Sequence, residues 1–108
     1  MDLDYLENAL ENIDLKGEQI HNVAEFCMTN NVDNEMEISN MIEKQFFKHK
    51  DPKAKIALFL LSSDLFALAN LRKNKQFFKY LAPKVRPFID NVLPYFFLYV
   101  VTHWRTLN

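Results

Sequence analysis

The stretch DPKAKIALFLLSSDLFALANL, residues 51–71, reads as a helix with a sharply defined start. Asp51-Pro52 is an N-cap acid followed by proline at the first helical position, where the missing N–H costs nothing. Downstream, Ile56, Leu58, Phe59, Leu60, Leu61, Leu65, Phe66 and Leu68 put apolar side chains on nearly every face. Such a helix is predicted to be central and buried. One residue breaks the apolar logic: Asp64 sits among Leu60, Leu61, Leu65 and Leu68, where an ionised carboxylate loses hydration unless something donates to it. The donor is either internal (a neighbouring helix N-terminus, Ser63 or a tyrosine hydroxyl) or a ligand bound over an apolar groove. Ser62 and Ser63 are expected to bond back to the carbonyl one turn earlier.

Working outward, Leu3, Leu6, Leu10 and Ile13 step by three and four, as do Ile20, Val23, Ala24 and Cys27, then Ile38, Met41, Ile42 and Phe46. Helices are predicted near 2–13, 17–29 and 33–48, with Thr29-Asn30-Asn31-Val32-Asp33 ending one and capping the next. On the other side, Phe77, Phe78 and Leu81 make a short helix ended by Pro83, and Val85, Phe88, Ile89 and Val92 make another. Pro94 opens a last one, with Phe96, Phe97, Val100, Val101 and Trp104 inward. With one Gly and no sustained alternation, strands have no support. The expectation is all-α: a compact right-handed superhelix of about seven short helices in antiparallel pairs.

The 108 residues are 49% hydrophobic and 25% charged, with ten Phe, which excludes a disordered tail and supplies a core without metal or disulfide. Cys27 is alone, so no intramolecular disulfide forms. Met1 to Leu15 does not read as a signal peptide, and the apolar run Ile56 to Leu71, broken by Ser62, Ser63, Asp64 and Asn70, falls short of the ~20 residues of a membrane span, so a soluble protein is expected. Charge is polarised: residues 1–48 carry eleven acids against Lys16, Lys44 and Lys48, a net of −8, and the remainder is +7. Its bases cluster at Lys50, Lys53 and Lys55, with Lys48 just upstream, and at Arg72–Arg86. These either meet an anionic partner, such as a phosphopeptide or RNA, or are solvated helix faces.

Catalysis finds no foothold, because His21, His49 and His103 form no helical pair and no Gly-rich loop or nucleophile elbow is present. A binding module without cofactor or metal remains.

The order of segments resembles the CTD-interacting domain family, also called the RPR domain, whose members bind the heptad-repeat tail of RNA polymerase II. The resemblance rests on Leu6, Leu10 and Leu15-Lys16, on Ile20 and Phe26-Cys27-x-x-Asn30, and on Ile38 with Ile42. Its most specific piece is Lys55-Ile56-Ala57-x-Phe59-Leu60-Leu61-x-Ser63-Asp64-Leu65, followed by Phe77-Phe78-x-x-Leu81-Ala82-Pro83 and Trp104. Phe26-Cys27 and Ile56-Ala57 with Ser63-Asp64 look most like the version in U2 snRNP-associated SR-type splicing proteins. The resemblance covers nearly the whole chain and implies one such domain over residues 1–108, somewhat shortened near its C-terminal helices.

It also implies an ENTH/VHS-like superhelix with an extended peptide in a groove of the second, fourth and seventh helices. There the aspartate matching Asp64 accepts a hydrogen bond from the tail's tyrosine. The implied groove residues are Asp64, Leu68, Ile20 and Phe97, with Lys16, Arg72 and Lys73 as charge contacts to phosphate. Two departures stand out. The family's asparagine four residues after the aspartate is Leu68, and its basic residue two turns before the tryptophan is replaced by the stretch Tyr95, Phe96 and Phe97. The implied function is a non-catalytic, nuclear reader of the phosphorylated polymerase tail that couples transcription to RNA processing, with RNA or splicing factors as further partners. A degenerate docking scaffold of the same fold is the alternative, and a VHS- or ENTH-type trafficking adaptor, using the basic clusters for phosphoinositides, is the alternative from another class.

Overall fold

A computed structural model describes residues 3–29 and 33–107, and their side chains except at positions 99, 100 and 103–107. Among the described residues there are five helices and no strand: α1 (Leu3–Glu11), α2 (Gly17–Thr29), α3 (Glu35–Lys48), α4 (Pro52–Leu71) and α5 (Gln76–Leu107). The first four follow the sequence reading to within a turn. The start of α4 forms as the residues dictate, with Asp51 Oδ1 accepting from the Lys53 N–H at 3.0 Å and Pro52 just inside. The steps of three and four each deliver one buried stripe: Leu6 and Leu10 from α1, Ile20, Val23, Ala24 and Cys27 from α2, Ile38, Ile42 and Phe46 from α3. The expected cap stretch includes Asn30 to Val32, which lie outside the described residues.

α1 and α3 are clamped together at one end. His49 Nε2 lies 3.0 Å from the Leu10 carbonyl oxygen, and Lys48 pairs with Glu11 at 3.3 Å. α3 meets α5 through Phe46, whose ring stacks on Phe88 with centroids 4.2 Å apart, and through Lys84 paired with Glu43 at 3.5 Å. α4 packs against α2, α3 and α5. Its length and composition would suffice to cross a membrane, contrary to the reading of residues 56–71, but Leu58, Leu61 and Leu65 are fully buried among the other helices, as in a core helix.

The largest departure from expectation is α5. The three short helices predicted after residue 76 are one continuous helix containing Pro83, Pro87 and Pro94, so the count is five rather than about seven. At 100° per residue the three prolines fall within about 40° of one another, and all are exposed. The carbonyls that lose a donor, those of Lys79, Pro83 and Asp90, therefore face water, which can hydrate them. The opposite face, Phe77, Leu81, Phe88 and Val92, is buried, and this packing spans Pro83 and Pro87; beyond it, Phe96 packs on Phe59 next to Pro94. Phe97 and Val101, expected inward, are 70% and 63% exposed, because the unbroken helical phase turns them away from α4. The Trp104 side chain lies outside the described residues.

α4 also departs from expectation, since it is not covered all round. Lys53, Leu60, Ser63, Ala67, Asn70 and Leu71 are exposed along one side. A helix apolar on every face still needs neighbours on every face, and α2 and α5 flank this side without closing over it.

Candidate peptide-binding groove

We take the open side of α4, an exposed strip on a helix that packs against both α2 and α5, as the floor of the candidate groove. On the α5 side, Phe59 approaches Phe96 and Phe66 approaches Phe78, with centroids 6.3 and 5.3 Å apart. On the α2 side, the Arg72 guanidinium that follows α4 donates to Glu25 at 2.8 Å. Each end of the floor opens into a cavity. The one at the α4 N-terminus, about 420 Å³, is largely apolar and joins Leu15 before α2, Pro52 and Ile56 of α4, and Tyr95 and Leu98 of α5. The one at the α4 C-terminus, about 460 Å³, is lined by Ala69, Asn70, Lys73, Lys75 and Phe78.

Asp64 stands at the margin of this floor, half-buried beside exposed Leu60 and Ala67. Its surroundings are therefore milder than a wholly apolar helix would have made them. Among the described residues nothing donates to its carboxylate; the Tyr99 side chain lies outside them. Ser62 Oγ bonds back to the Leu58 carbonyl at 3.1 Å as expected, whereas Ser63 is exposed and makes no such bond.

The other implied site residues scatter. Leu68 is half-buried against the core beside Asp64. Ile20 is only 3% exposed, so it supports the groove from beneath and offers a ligand no surface, because the α2 face that carries it is the one packed into the core. Phe97 lies on the outer side of α5 and is not brought to Asp64; Tyr95 and Leu98 line the groove end instead. Those two were missed because they are brought to this cavity only when α5 continues as a helix past Pro94.

The basic residues divide by whether the fold has already used them. Lys16 lies 3.9 Å from Asp14, Lys44 pairs with Glu7, Lys84 with Glu43 and Arg86 with Asp90. Arg72 is paired with Glu25, so the acidic first half of the chain supplies its counter-ion. Lys55 is withdrawn altogether. It is 9% exposed, its Nζ donates to the Phe46 carbonyl at 2.8 Å near the C-terminal end of α3, and it sits 4.6 Å from the centre of the Phe46 ring. Burial lowers its pKa from the ordinary 10.5, while a helix C-terminus and an aromatic face favour the cation. Lys50, Lys53, Lys73, Lys75 and Lys79 face no carboxylate among the described residues.

The buried Cys27 thiol is pushed up to about 12 by desolvation, which makes it a core residue rather than a nucleophile. Among the described residues no cluster of His, Cys, Asp and Glu could hold a metal ion.

No curated protein and no solved structure matches the chain. The family model of the CID domain, however, matches residues 4–97, a span that takes in α1 from Asp4, α2 to α4 with Asp64, and α5 through Phe97. All-helical architecture, a groove with an acceptor on its floor and that match agree, and the chain belongs to the CID domain family, a family of protein-interaction modules.

Proposed function

We propose that the chain reads the C-terminal tail of RNA polymerase II, with the peptide extended along the open side of α4 and its tyrosine hydroxyl donating to Asp64. One observation carries this reading: a half-buried carboxylate on a groove floor, left without a donor by the described residues. The carboxylate is open to a ligand, and a bond from phenol to carboxylate is charge-assisted. The apolar cavity at Leu15, Ile56, Tyr95 and Leu98 suits a ring or a proline of the same peptide. The floor, with about 1.5 Å of rise per residue over the twenty residues of α4, is long enough for roughly one heptad of extended chain.

The wider setting belongs to the same proposal: a nuclear protein, a right-handed superhelical winding of the ENTH/VHS kind, and a link between transcription and RNA processing, with splicing factors among the partners. The module needs no cofactor and performs no catalysis.

The test is a double-mutant cycle. Tail peptides of two repeats, with tyrosine or phenylalanine, are titrated against the wild-type chain and Asp64→Asn. Equal losses from either change alone, with no further loss on combining them, establish the bond; additive losses remove it. A second reading, a docking scaffold that has lost the tail, is favoured by Leu68 in place of a backbone-bonding asparagine and by the exposed Leu93, Phe97 and Val101. It predicts no measurable affinity for the tail in any phosphorylation state.

A further inference from the structure

α5 buries one face and presents a second apolar one that no described residue covers. Ile89, Leu93, Phe97 and Val101 recur every fourth residue, and their exposure runs from 36% at Ile89 to 70% at Phe97. At 100° per residue each step winds about 40° further round the helix. Ile89 begins within about 20° of Phe78 and Phe96, the residues that meet Phe66 and Phe59 of α4, and by Phe97 the stripe stands about 100° from that seam. It therefore leads onto the outer side of the molecule, away from α4 and from Asp64.

The composition of this face is that of an interface core. Residues 91–102 carry no charge, and the nearest charges on the described side chains, Arg86 and Asp90, pair with each other at 3.8 Å on one edge of the stripe. Contacts between proteins are depleted of charge at their centre and keep it at the rim. The four side chains leave roughly 400 to 500 Å² of apolar surface in water, toward the upper end of what a monomer shows. Paired with itself, the same surface gives up to about 1,000 Å² of total burial, the size of a reversible dimer rather than of a permanent one.

Geometry and charge then choose the occupant and its direction. A row of side chains four residues apart is the ridge that packs into the matching groove of another helix at about −50°, and a second α5 offers that groove. About a two-fold axis at position 95, an antiparallel pair sets Leu93 against Phe97 and Ile89 against Val101, so every stripe residue meets another. Lys75 and Lys79, which face no carboxylate among the described residues, stand at the start of α5. A parallel pair would set both basic starts on the same side of the crossing. The antiparallel pair sets them at opposite ends, about 40 Å or more apart, which is several screening lengths, and opposes the two helix dipoles.

We infer that α5 is a self-association helix: its outer stripe, Ile89, Leu93, Phe97 and Val101, packs antiparallel against the same stripe of a second copy of this chain. The inference goes beyond the peptide reading and does not depend on it, because the crossing between Leu93 and Phe97 lies on the outer side of α5 from Asp64.

Sedimentation velocity on the wild-type chain from about 10 μM to about 1 mM should show the mass climbing from 12.8 kDa toward twice that value, with a dissociation constant of roughly 10 to 500 μM for an interface of this size. Phe97→Asp sets a charge into the centre of the contact at a position that is already in water in the single chain. It should leave the melting temperature unchanged and weaken association at least about tenfold. Val101→Asp, one ridge step on, should act in the same direction with a smaller loss. Because the contact is apolar, the wild-type constant should hold or tighten in about 1 M salt. Direction is read by mixing Leu93→Cys and Phe97→Cys copies under mild oxidation, with Cys27 silent because it is fully buried. The antiparallel pair links the two variants to one another faster than either links to itself.

A chain that stays monomeric at the highest concentration would overturn the inference and assign the stripe to a different protein. So would association that survives Phe97→Asp, or cysteines that link like to like in preference to the mixed pair. Association that salt dissolves would also overturn it, since the acidic half of one copy would then be meeting the basic half of another. A tail peptide that fails to bind tells against the peptide reading alone and leaves these measurements as they are.

Discussion

Lys53 and Lys55 are two residues apart on α4 and meet different media. Lys53 projects from the open side into solvent beside the groove, while Lys55 is enclosed between α3 and α4 with its ammonium on a carbonyl and over a ring. Leu60 and Leu61 repeat the contrast, one 37% exposed and the other fully buried. Residue type is the same in each pair; only the angle about the helix axis differs. The closed side of α4 is thus a stability surface and the open side an interaction surface, and substitutions should separate cleanly along that division.

The largest effect is expected deep on the closed side. Phe46→Ala removes a fully buried ring stacked on Phe88 and uncovers Lys55, so unfolding free energy should fall by about 3–5 kcal/mol. Urea denaturation measures this, and a loss below about 1 kcal/mol would show that the α3–α5 contact is not where stability resides. On the open side, Asp64→Asn should cost the tail peptide about 1.5–3 kcal/mol of affinity while the melting curve is unchanged. A drop in melting temperature with unchanged affinity would move Asp64 to the structural side of the division.

Lys55 offers a pH test of its enclosure. Its folded pKa lies below 10.5, so in the window between that value and 10.5 the unfolded chain binds more protons and stability rises with pH; the stabilisation is lost as pH falls through the folded pKa. The slope is bounded by one proton, about 1.4 kcal/mol per pH unit. Lys55→Met should remove this slope, whereas Lys53→Met should leave it in place, as unfolding curves recorded across the alkaline range would reveal. The smallest effect is expected at the rim, where Glu25→Gln frees Arg72. Exposed pairs contribute about 0–1 kcal/mol, so stability should barely move, but the released guanidinium should strengthen phosphopeptide binding at low salt and lose that gain at high salt.

Much of this was legible in the residues themselves. Asp51-Pro52 marks a helix start because cap chemistry is local, and the stripes of α1, α2 and α3 follow from a period of 3.6. The prolines of α5 misled for an equally physical reason: proline is a local cost, and a helix tolerates it when the freed carbonyls face water and the other side is held by Phe77, Leu81, Phe88 and Val92. Lys55, read as part of an anion-binding cluster, was lost to Phe46, nine residues away in sequence on the preceding helix. Arg72 is paired with Glu25, forty-seven residues away. Of the implied site, Asp64 is half-buried at the margin of the open side of α4 and Lys73 lines the cavity at its C-terminal end, whereas Ile20 is buried and Phe97 lies on the outer side of α5.

The sequence by itself determined that the chain is helical, where its first four helices lie to within a turn, and that α4 lies at the centre. These follow from interactions within a few residues: caps and periodicity. Which side of α4 stays open, which lysines remain unpaired and whether α5 survives its prolines were decided only by tertiary structure. Each depends on which distant surface arrives at a given helix face, and a helix that is apolar all round carries no local record of the face its neighbours leave uncovered.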